Sequence, residues 1–203
     1  MNVREAITFG LNKLNFQNIR ENQRKVVEAY FSGRDVLMIS PTGSGKSLTF
    51  CIAPFAIDFF KHGERDDIQI VCLVIFPLVS LMNDQVSSLR RWKRNQGCCC
   101  RSDSSETENK EASEGKYNVV FTSSEALFGS HRSTVPILKN KIEAVLIDEV
   151  HRVAKEGSIH LIFTLLESYQ LYTTFRSAAF LLFKVRFCCL SRLSRWYFTP
   201  MYV

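Results

Sequence analysis

The chain has 203 residues, of which 46% are hydrophobic and 23% are charged. These proportions are ordinary for a globular protein, and they exclude wholesale disorder, a collagen-like chain and a coiled coil. The apolar runs break well before the roughly 18 residues that a membrane span needs, and the first ten residues lack the apolar core of a secretory signal. The seven cysteines form an odd set in a long chain, which favours free thiols in a reducing compartment.

The net charge of +6 is distributed unevenly. Residues 158–203 contain five basic residues and one acidic residue, which leaves a net charge of only +2 for residues 1–157. The formal basicity therefore belongs mostly to the last part of the chain. It is weak evidence for nucleic-acid binding by the first part.

Short apolar runs alternate with helix-like segments between residues 21 and 148. The runs predicted as strands are 35–39, 68–76, 117–122 and 142–148, and the segments predicted as helices are 21–31, 46–60, 78–92 and 124–128. Such alternation predicts parallel βαβ units, in which helices cover both faces of a mostly parallel sheet. The nearly continuous apolar run at 68–76 is typical of a strand that is buried on both faces.

Residues 95–116 interrupt this alternation. The segment is rich in Ser, Glu, Asn and Lys and contains no Leu, Ile, Val or aromatic residue. This composition predicts a long exposed loop or flexible insert. Cys98–Cys100 lies within it, but the run lacks the spaced partner pair of a zinc site, so we expect no metal there.

The composition changes again after Gly157. Residues 158–203 hold 11 of the 24 aromatic residues and contain no Gly, Asp or Asn. A continuing α/β domain needs turn residues about every ten positions, and this tail has few. We therefore predict a domain at 1–157 and a divergent tail at 158–203 that does not continue it. A buried helical hairpin remains open for the tail, as does an end created by alternative splicing or a faulty gene model.

A glycine-rich segment follows the first predicted strand and opens a predicted helix. Ser40–Ser47 reads Ser-Pro-Thr-Gly-Ser-Gly-Lys-Ser, in the context that a phosphate-binding loop requires, although the strict pattern begins with Gly where this chain has Ser40. Gly43 and Gly45 allow the backbone to curl so that successive N–H groups face one anion, and the helix amino end adds a partial positive charge. The predicted nucleotide-binding residues here are Thr42, Gly43, Ser44, Gly45, Lys46 and Ser47.

Five residues are predicted to supply the chemistry of a magnesium–nucleotide site. Lys46 would neutralise the β- and γ-phosphates, and the Ser47 hydroxyl would ligate Mg²⁺. Asp148 ends the last predicted strand, at the edge where open α/β sheets bind ligands, and is the second predicted metal ligand. Glu149 could polarise the attacking water, and His151 could sense the γ-phosphate.

In combination, these motifs resemble those of the RecQ family of superfamily 2 helicases, over roughly residues 11–157. The loop resembles motif I, and Asp148–His151 resembles a DExH motif II. Pro77–Val86 reads Pro-Leu-Val-Ser-Leu-Met-Asn-Asp-Gln-Val and closely resembles the RecQ motif Ia. Val119–Leu127 resembles a family segment that ends Pro-Glu-x-Leu, with Ser124 in place of the Pro and Glu125 retained.

A fifth segment, near the start of the chain, resembles the family's adenine-reading motif 0. Phe16, Arg20 and Gln23 have its spacing of an aromatic residue, an Arg and a Gln. The resemblance implies that Phe16 stacks on the base, that Arg20 stacks or donates hydrogen bonds, and that Gln23 pairs with adenine N6 and N7. Taken alone, Phe16 suits a core position better than an adenine platform.

The resemblance implies the first RecA-like lobe of an ATP-dependent 3′-to-5′ DNA helicase that uses ATP and Mg²⁺. The implied partner is DNA, single-stranded or partly unwound, with no membrane involved. The implied location is the nucleus in a eukaryote and otherwise the cytoplasm. The motifs do not specify an oligomeric state.

The family pattern stops after the DExH motif. Arg152 stands where the family has Cys, Glu156 stands where it has Trp, and no Thr-Ala-Thr follows. The second lobe and its arginine fingers are not recognisable either, so we expect at most slow hydrolysis and no unwinding from these residues. A catalytically inactive module that binds nucleotide or nucleic acid is the alternative. A simple P-loop kinase or GTPase is disfavoured, because motifs 0 and Ia have no role there.

Overall fold

The computed structural model describes residues 2–34, 36–41, 44–65, 70–76, 79–92, 97–100, 106–129, 134–148, 181–183 and 201–202. The helices are α1 (Val3–Lys13), α2 (Glu21–Phe31), α3 (Ser47–His62), α4 (Val79–Trp92), α5 (Glu106–Ser113), α6 (Ser124–Phe128) and α7 (Thr134–Leu138). The strands are β1 (Val36–Met38), β2 (Val71–Phe76), β3 (Gly97–Cys100), β4 (Val119–Ser123), β5 (Ile142–Ile147), β6 (Leu181–Phe183) and β7 (Met201–Tyr202).

The strands form one parallel sheet in the order β3-β4-β2-β5-β6-β1-β7. Each neighbouring pair is parallel, so every described strand ends at the same edge of the sheet. The predicted α/β class with a mostly parallel sheet is therefore confirmed. The four predicted strands and four predicted helices are present among the described residues, with their ends shifted by a few positions.

The core lies between the sheet and its covering helices. β2 and β4 are buried along their whole length, as expected of strands that are covered on both faces. α1 packs closely on α3 because Gly10 lacks a side chain: a Cβ there would lie 3.1 Å from the carbonyl oxygen of Ile52. α1 begins with a capping box in which Asn2 accepts from the Arg4 N–H and Glu5 accepts from the Asn2 N–H.

The predicted loop at 95–116 is partly wrong. β3 pairs with β4 at the edge of the sheet, and α5 forms nearby, with Ala112 fully buried. Cysteine behaves as a small apolar residue, so three in succession can form a strand without any Leu, Ile or Val. The prediction treated them as part of a polar insert and missed this. The predicted flexibility of the segment stays a prediction.

Two short strands come from the predicted tail. β6 lies between β5 and β1, and β7 pairs with the other side of β1. The division of the chain at Gly157 stays a prediction, and β6, which follows Gly157 in sequence, pairs with both β5 and β1. Among the described helices, none has the length and apolar character needed to cross a bilayer.

Candidate nucleotide-binding site

The two predicted phosphate and metal motifs lie at the same edge of the sheet. The glycine-rich loop leaves β1 and enters α3, while Asp148 directly follows β5. Only β6 separates β1 from β5, so the loop and Asp148 are two strand positions apart. The backbone N–H of Asp148 donates to the carbonyl oxygen of Ile75 at 2.9 Å, which fixes the end of β5 against β2.

The described part of the loop is tightly turned. Gly45 has a φ of +79°, a left-handed conformation that residues with a side chain rarely adopt. The Ser44 N–H donates to the Pro41 carbonyl oxygen at 3.3 Å, and the Ser40 hydroxyl donates to the Ser44 hydroxyl oxygen at 2.6 Å. The strand–loop–helix context predicted for a phosphate loop is therefore present.

Lys46 is folded back onto the loop. Its ammonium group donates to the carbonyl oxygens of Ser40, at 3.1 Å, and Pro41, at 2.8 Å. Its backbone is helical, and it makes no side-chain cap to the amino end of α3. The positive charge is thus held within the loop.

Two of the three predicted adenine-reading residues reach the loop from α2 and its amino end. Arg20 donates through Nη1 to the Ser44 carbonyl oxygen at 2.6 Å. Gln23, which is only 2% exposed, donates through Nε2 to the Gly45 carbonyl oxygen at 2.6 Å. Its Oε1 accepts from the backbone N–H of Arg20 at 2.9 Å. Both polar atoms of the side chain thus have a protein partner, and the pairing of Gln23 with adenine stays a prediction.

The sequence motif gave no sign of these contacts with the loop. A Cβ on Gly45 would lie 2.9 Å from Gln23 Nε2, so the glycine is needed partly because Gln23 packs against it. The neighbouring cation Arg24 is engaged elsewhere: it pairs with Glu21 and Glu28 along the helix, and its hydrogen bond lowers the pKa of Glu21. Arg20 is thus the cation near the start of α2 that contacts the loop.

Phe16 has a different setting. It follows Asn15, whose φ is +59°, and its N–H donates to the Leu11 carbonyl oxygen at 2.9 Å. Its side chain is half-buried and packs against the hydrophobic core. This packing agrees with the core interpretation, and the proposed stacking on adenine stays a prediction.

Several predicted site residues lie outside the described residues. These are Thr42, Gly43, Glu149 and His151, together with Arg152, Glu156 and the first two residues of motif Ia. The rest of motif Ia forms the start of α4, where Met82, Val86 and Leu89 are buried and Asp84 is exposed.

The segment that resembles Pro-Glu-x-Leu forms the turn from β4 into α6. Ser123 caps α6 by accepting from the Ala126 N–H at 3.1 Å. Ser124, which replaces the family's Pro, is 1% exposed, and its buried hydroxyl has no hydrogen-bond partner among the residues that the structure describes. Glu125 is exposed. The substitution thus leaves a buried polar group that a Pro would not carry.

The predicted metal pair suits magnesium by its chemistry. Ser47 offers a hydroxyl oxygen and Asp148 a carboxylate oxygen, and both residues are half-buried rather than sealed from solvent. Mg²⁺ prefers oxygen ligands and keeps several waters, so it needs few protein donors. Within the described ranges, no group of three or more His, Cys, Asp or Glu residues could hold a metal ion.

Comparison with known families matches residues 20–184 to "DEAD/DEAH box helicase". The chain belongs to this family. It is 27% identical over 149 residues to the "Probable ATP-dependent DNA helicase RecS" of Bacillus subtilis (strain 168). The aligned region covers 70% of this chain and 27% of that protein. The chain is 30% identical over 150 residues to the "ATP-dependent DNA helicase Q-like SIM" of Arabidopsis thaliana, covering 72% and 16% respectively.

A third relative is the "ATP-dependent DNA helicase RecQ" of Synechocystis sp. (strain ATCC 27184 / PCC 6803 / Kazusa), at 29% identity over 70% of this chain and 28% of that protein. These relatives confirm the RecQ resemblance. The DEAD/DEAH box chain spans between 16% and 28% of the length of these three curated relatives.

Solved structures show the same fold. The DUF1998 helicase MrfA bound to DNA matches with a TM-score of 0.74 at 18% identity, over 98% of this chain and 29% of that chain. The DEAD-box helicase Mss116 bound to ssRNA and UDP-BeF matches with a TM-score of 0.71 at 14% identity, over 98% and 42% respectively. The RecA-like helicase fold predicted from the motifs is thereby confirmed.

Proposed function

We propose that this chain supplies the Mg²⁺- and ATP-binding lobe of a RecQ-type 3′-to-5′ DNA helicase. The observation that carries the proposal is the convergence of Arg20 and Gln23 on Ser44 and Gly45. A motif that resembles an adenine reader and a motif that resembles a phosphate loop are far apart in sequence, and they meet in the structure. The names of the curated relatives support DNA as the nucleic acid.

We assign a separate role in nucleotide binding to each of the site's side chains. Lys46 would neutralise the β- and γ-phosphates, and Ser47 and Asp148 would hold Mg²⁺, directly or through water. When bound, the metal offsets the charge that develops on the transferred phosphoryl group. Glu149 would orient the attacking water, and His151 would respond to the γ-phosphate.

We place the nucleotide-binding lobe at residues 1–157 and treat 158–203 as a distinct tail. The sequence motifs all lie before residue 157, and the aromatic-rich composition begins after it. The DNA partner would be single-stranded or partly unwound, and in a eukaryotic cell such a substrate places the protein in the nucleus.

A second candidate is a module that binds nucleotide without turning it over. Glu156 stands where the family has the Trp of its aromatic-rich loop, which favours this reading. ATP hydrolysis measured with and without single-stranded DNA separates the two candidates. Slow hydrolysis would support the first candidate, and binding with no detectable hydrolysis in either condition would support the second.

The experiment that tests the proposal compares two lysine variants by calorimetric titration with Mg·ATP. Lys46→Ala removes a charge-assisted phosphate contact and should weaken binding by about 1.5–3 kcal/mol. Lys61→Ala is the matched control, because Lys61 lies at the far end of α3, paired with Glu143. Its affinity should equal that of the wild type. Equal affinity of the Lys46 variant and the control would refute the proposal.

The base preference is tested at Gln23. An amide offers both a donor and an acceptor, so it can match adenine N6 and N7, whereas guanine presents two acceptors there. We expect Gln23→Ala to reduce the ratio of ATP to GTP affinity. If both nucleotides weaken by the same factor, Gln23 acts only through its hydrogen bond to the Gly45 carbonyl oxygen, and the adenine-reading role is wrong.

A further inference from the structure

A pair of serine hydroxyls bridges the phosphate loop. Ser40, the residue that departs from the strict glycine pattern, donates to the Ser44 hydroxyl oxygen at 2.6 Å. Ser40 is 6% exposed, whereas Ser44 is half-buried and lies nearer solvent. The bridge therefore runs from a buried hydroxyl at the end of β1 to an accessible one in the middle of the loop.

The two hydroxyls share one hydrogen bond, so one of their two protons is available to another acceptor. A hydroxyl carries one donor and two acceptor positions. When Ser40 donates to the Ser44 oxygen, Ser44 keeps its own proton for another acceptor. A hydroxyl that accepts one hydrogen bond becomes a better donor of the next, since linked hydrogen bonds polarise one another.

Hydrogen bonds hold both backbone polar groups of Ser44. Its N–H donates to the Pro41 carbonyl oxygen at 3.3 Å, and its own carbonyl oxygen accepts from Arg20 Nη1 at 2.6 Å. The Ser40 carbonyl oxygen in turn accepts from the Lys46 ammonium at 3.1 Å. The backbone carbonyl oxygens of the two serines thus accept hydrogen bonds from two cationic side chains, Arg20 and Lys46.

We propose that the Ser44 hydroxyl donates directly to a nucleotide phosphate and that Ser40 is the positioning residue that holds and polarises it. This inference rests on the proposed function, because it concerns the same loop. It assigns a role to Ser40, whose side chain the phosphate-loop pattern does not use. It also predicts that the two serines act as one unit.

A pair of isosteric variants isolates the hydroxyl. Ser44→Thr keeps the hydroxyl. Ser44→Val has nearly the same shape as the Thr variant but lacks the hydroxyl. We expect the Thr variant to bind Mg·ATP and Mg·ADP within about twofold of the wild type. The Val variant should bind both at least about tenfold more weakly than the Thr variant, as expected for one hydrogen bond to a charged phosphate.

Coupling between the serines is tested by adding Ser40→Ala to both variants. It should weaken binding about threefold or more in the Ser44→Thr background and leave the Ser44→Val background unchanged, because no hydroxyl remains there to position. Ser32→Ala is the control for loss of a serine hydroxyl, since Ser32 donates to the Glu28 carbonyl oxygen away from the loop. Melting temperatures without nucleotide show whether each variant is folded.

The outcomes separate this inference from the proposed function. If the wild type does not bind Mg·ATP, the proposed function fails. If the wild type binds while the Thr and Val variants bind equally, the function stands and the role of the Ser44 hydroxyl is overturned. Equal loss from Ser40→Ala in both backgrounds would likewise overturn the positioning role of Ser40.

Discussion

The glycines at the two ends of α3 have the same backbone φ but different surroundings. Gly45 precedes the helix and Gly63 follows it, and each has a φ of +79°. A Cβ on Gly45 would meet Gln23 Nε2 at 2.9 Å, whereas no described residue comes within 4 Å of one on Gly63. One glycine is crowded by the candidate site, and the other only turns the chain.

Hydrogen bonding differs in the same way. At the carboxyl end, the Gly63 N–H donates to the Phe59 carbonyl oxygen, and His62 contacts the buried Asp58 at 3.0 Å. At the amino end, no described side chain caps the helix, and Lys46 extends back to loop carbonyls. The Leu48 and Thr49 N–H groups there donate to the Gly45 and Lys46 carbonyl oxygens. The carboxyl end is thus completed by a side chain of the helix, whereas the amino end presents the partial positive charge that suits an anion.

The largest expected effect comes from replacing the two glycines. Both Gly45→Ala and Gly63→Ala should lower the free energy of unfolding by about 1–3 kcal/mol, because each forces a side chain into a strained conformation. Only Gly45→Ala should also weaken the binding of Mg·ATP, by about tenfold or more, because the new side chain displaces Gln23 from the loop. Chemical denaturation and nucleotide titration of both variants check this. Equal ATP affinities would erase the functional distinction between the two ends.

The buried middle of α3 provides an intermediate effect that should be independent of nucleotide. Burial raises the pKa of the Cys51 thiol to about 12. Between the ordinary thiol pKa and this value, the unfolded chain loses the proton and the folded chain keeps it. Stability should therefore fall as pH rises, and Cys51 alone contributes a loss of about 1.4 kcal/mol one pH unit above its ordinary pKa.

Denaturation of the wild type and Cys51→Ala from pH 7 to 10 measures this contribution. The alanine variant should show a shallower decline with pH. Buried Cys72 and Tyr30, whose pKa values are also raised by burial, contribute to the slope that remains. Identical slopes would mean that Cys51 does not titrate between the folded and unfolded states.

The smallest expected effect concerns stability at the amino end of α6. Unlike α3, α6 is capped by its own residue, Ser123, and then carries the unpartnered hydroxyl of Ser124. Ser124→Pro removes that hydroxyl and suits the first helical position, and Ser123 already has the extended backbone that a following Pro requires. We expect a gain of about 1 kcal/mol in stability.

The matched variant Ser123→Ala should instead lower the free energy of unfolding by about 1 kcal/mol, because it removes the cap. Thermal or chemical denaturation of the two variants gives both numbers. Destabilisation by Ser124→Pro would show that the buried hydroxyl has a use that the described contacts do not reveal.

Prediction from sequence succeeded where the signal was local. Apolar runs between polar segments located β2, β4 and β5, because the period and length of a run reflect how it is buried. It failed at β3, where Cys98–Cys100 replaced the usual aliphatic residues. It also gave no sign that Leu181–Phe183 would pair between β1 and β5, since pairing partners are distant in sequence.

Local sequence patterns were enough to predict the parallel α/β class, the strand–loop–helix context of Ser40–Ser47 and an acidic residue after a buried strand. They could not show that Gln23 donates to the Gly45 carbonyl oxygen or that Asp148 lies two strand positions from the loop. Local patterns record which face of a segment is buried. Strand order and the packing of α2 depend on contacts between residues far apart in the chain, and no short window of sequence contains them.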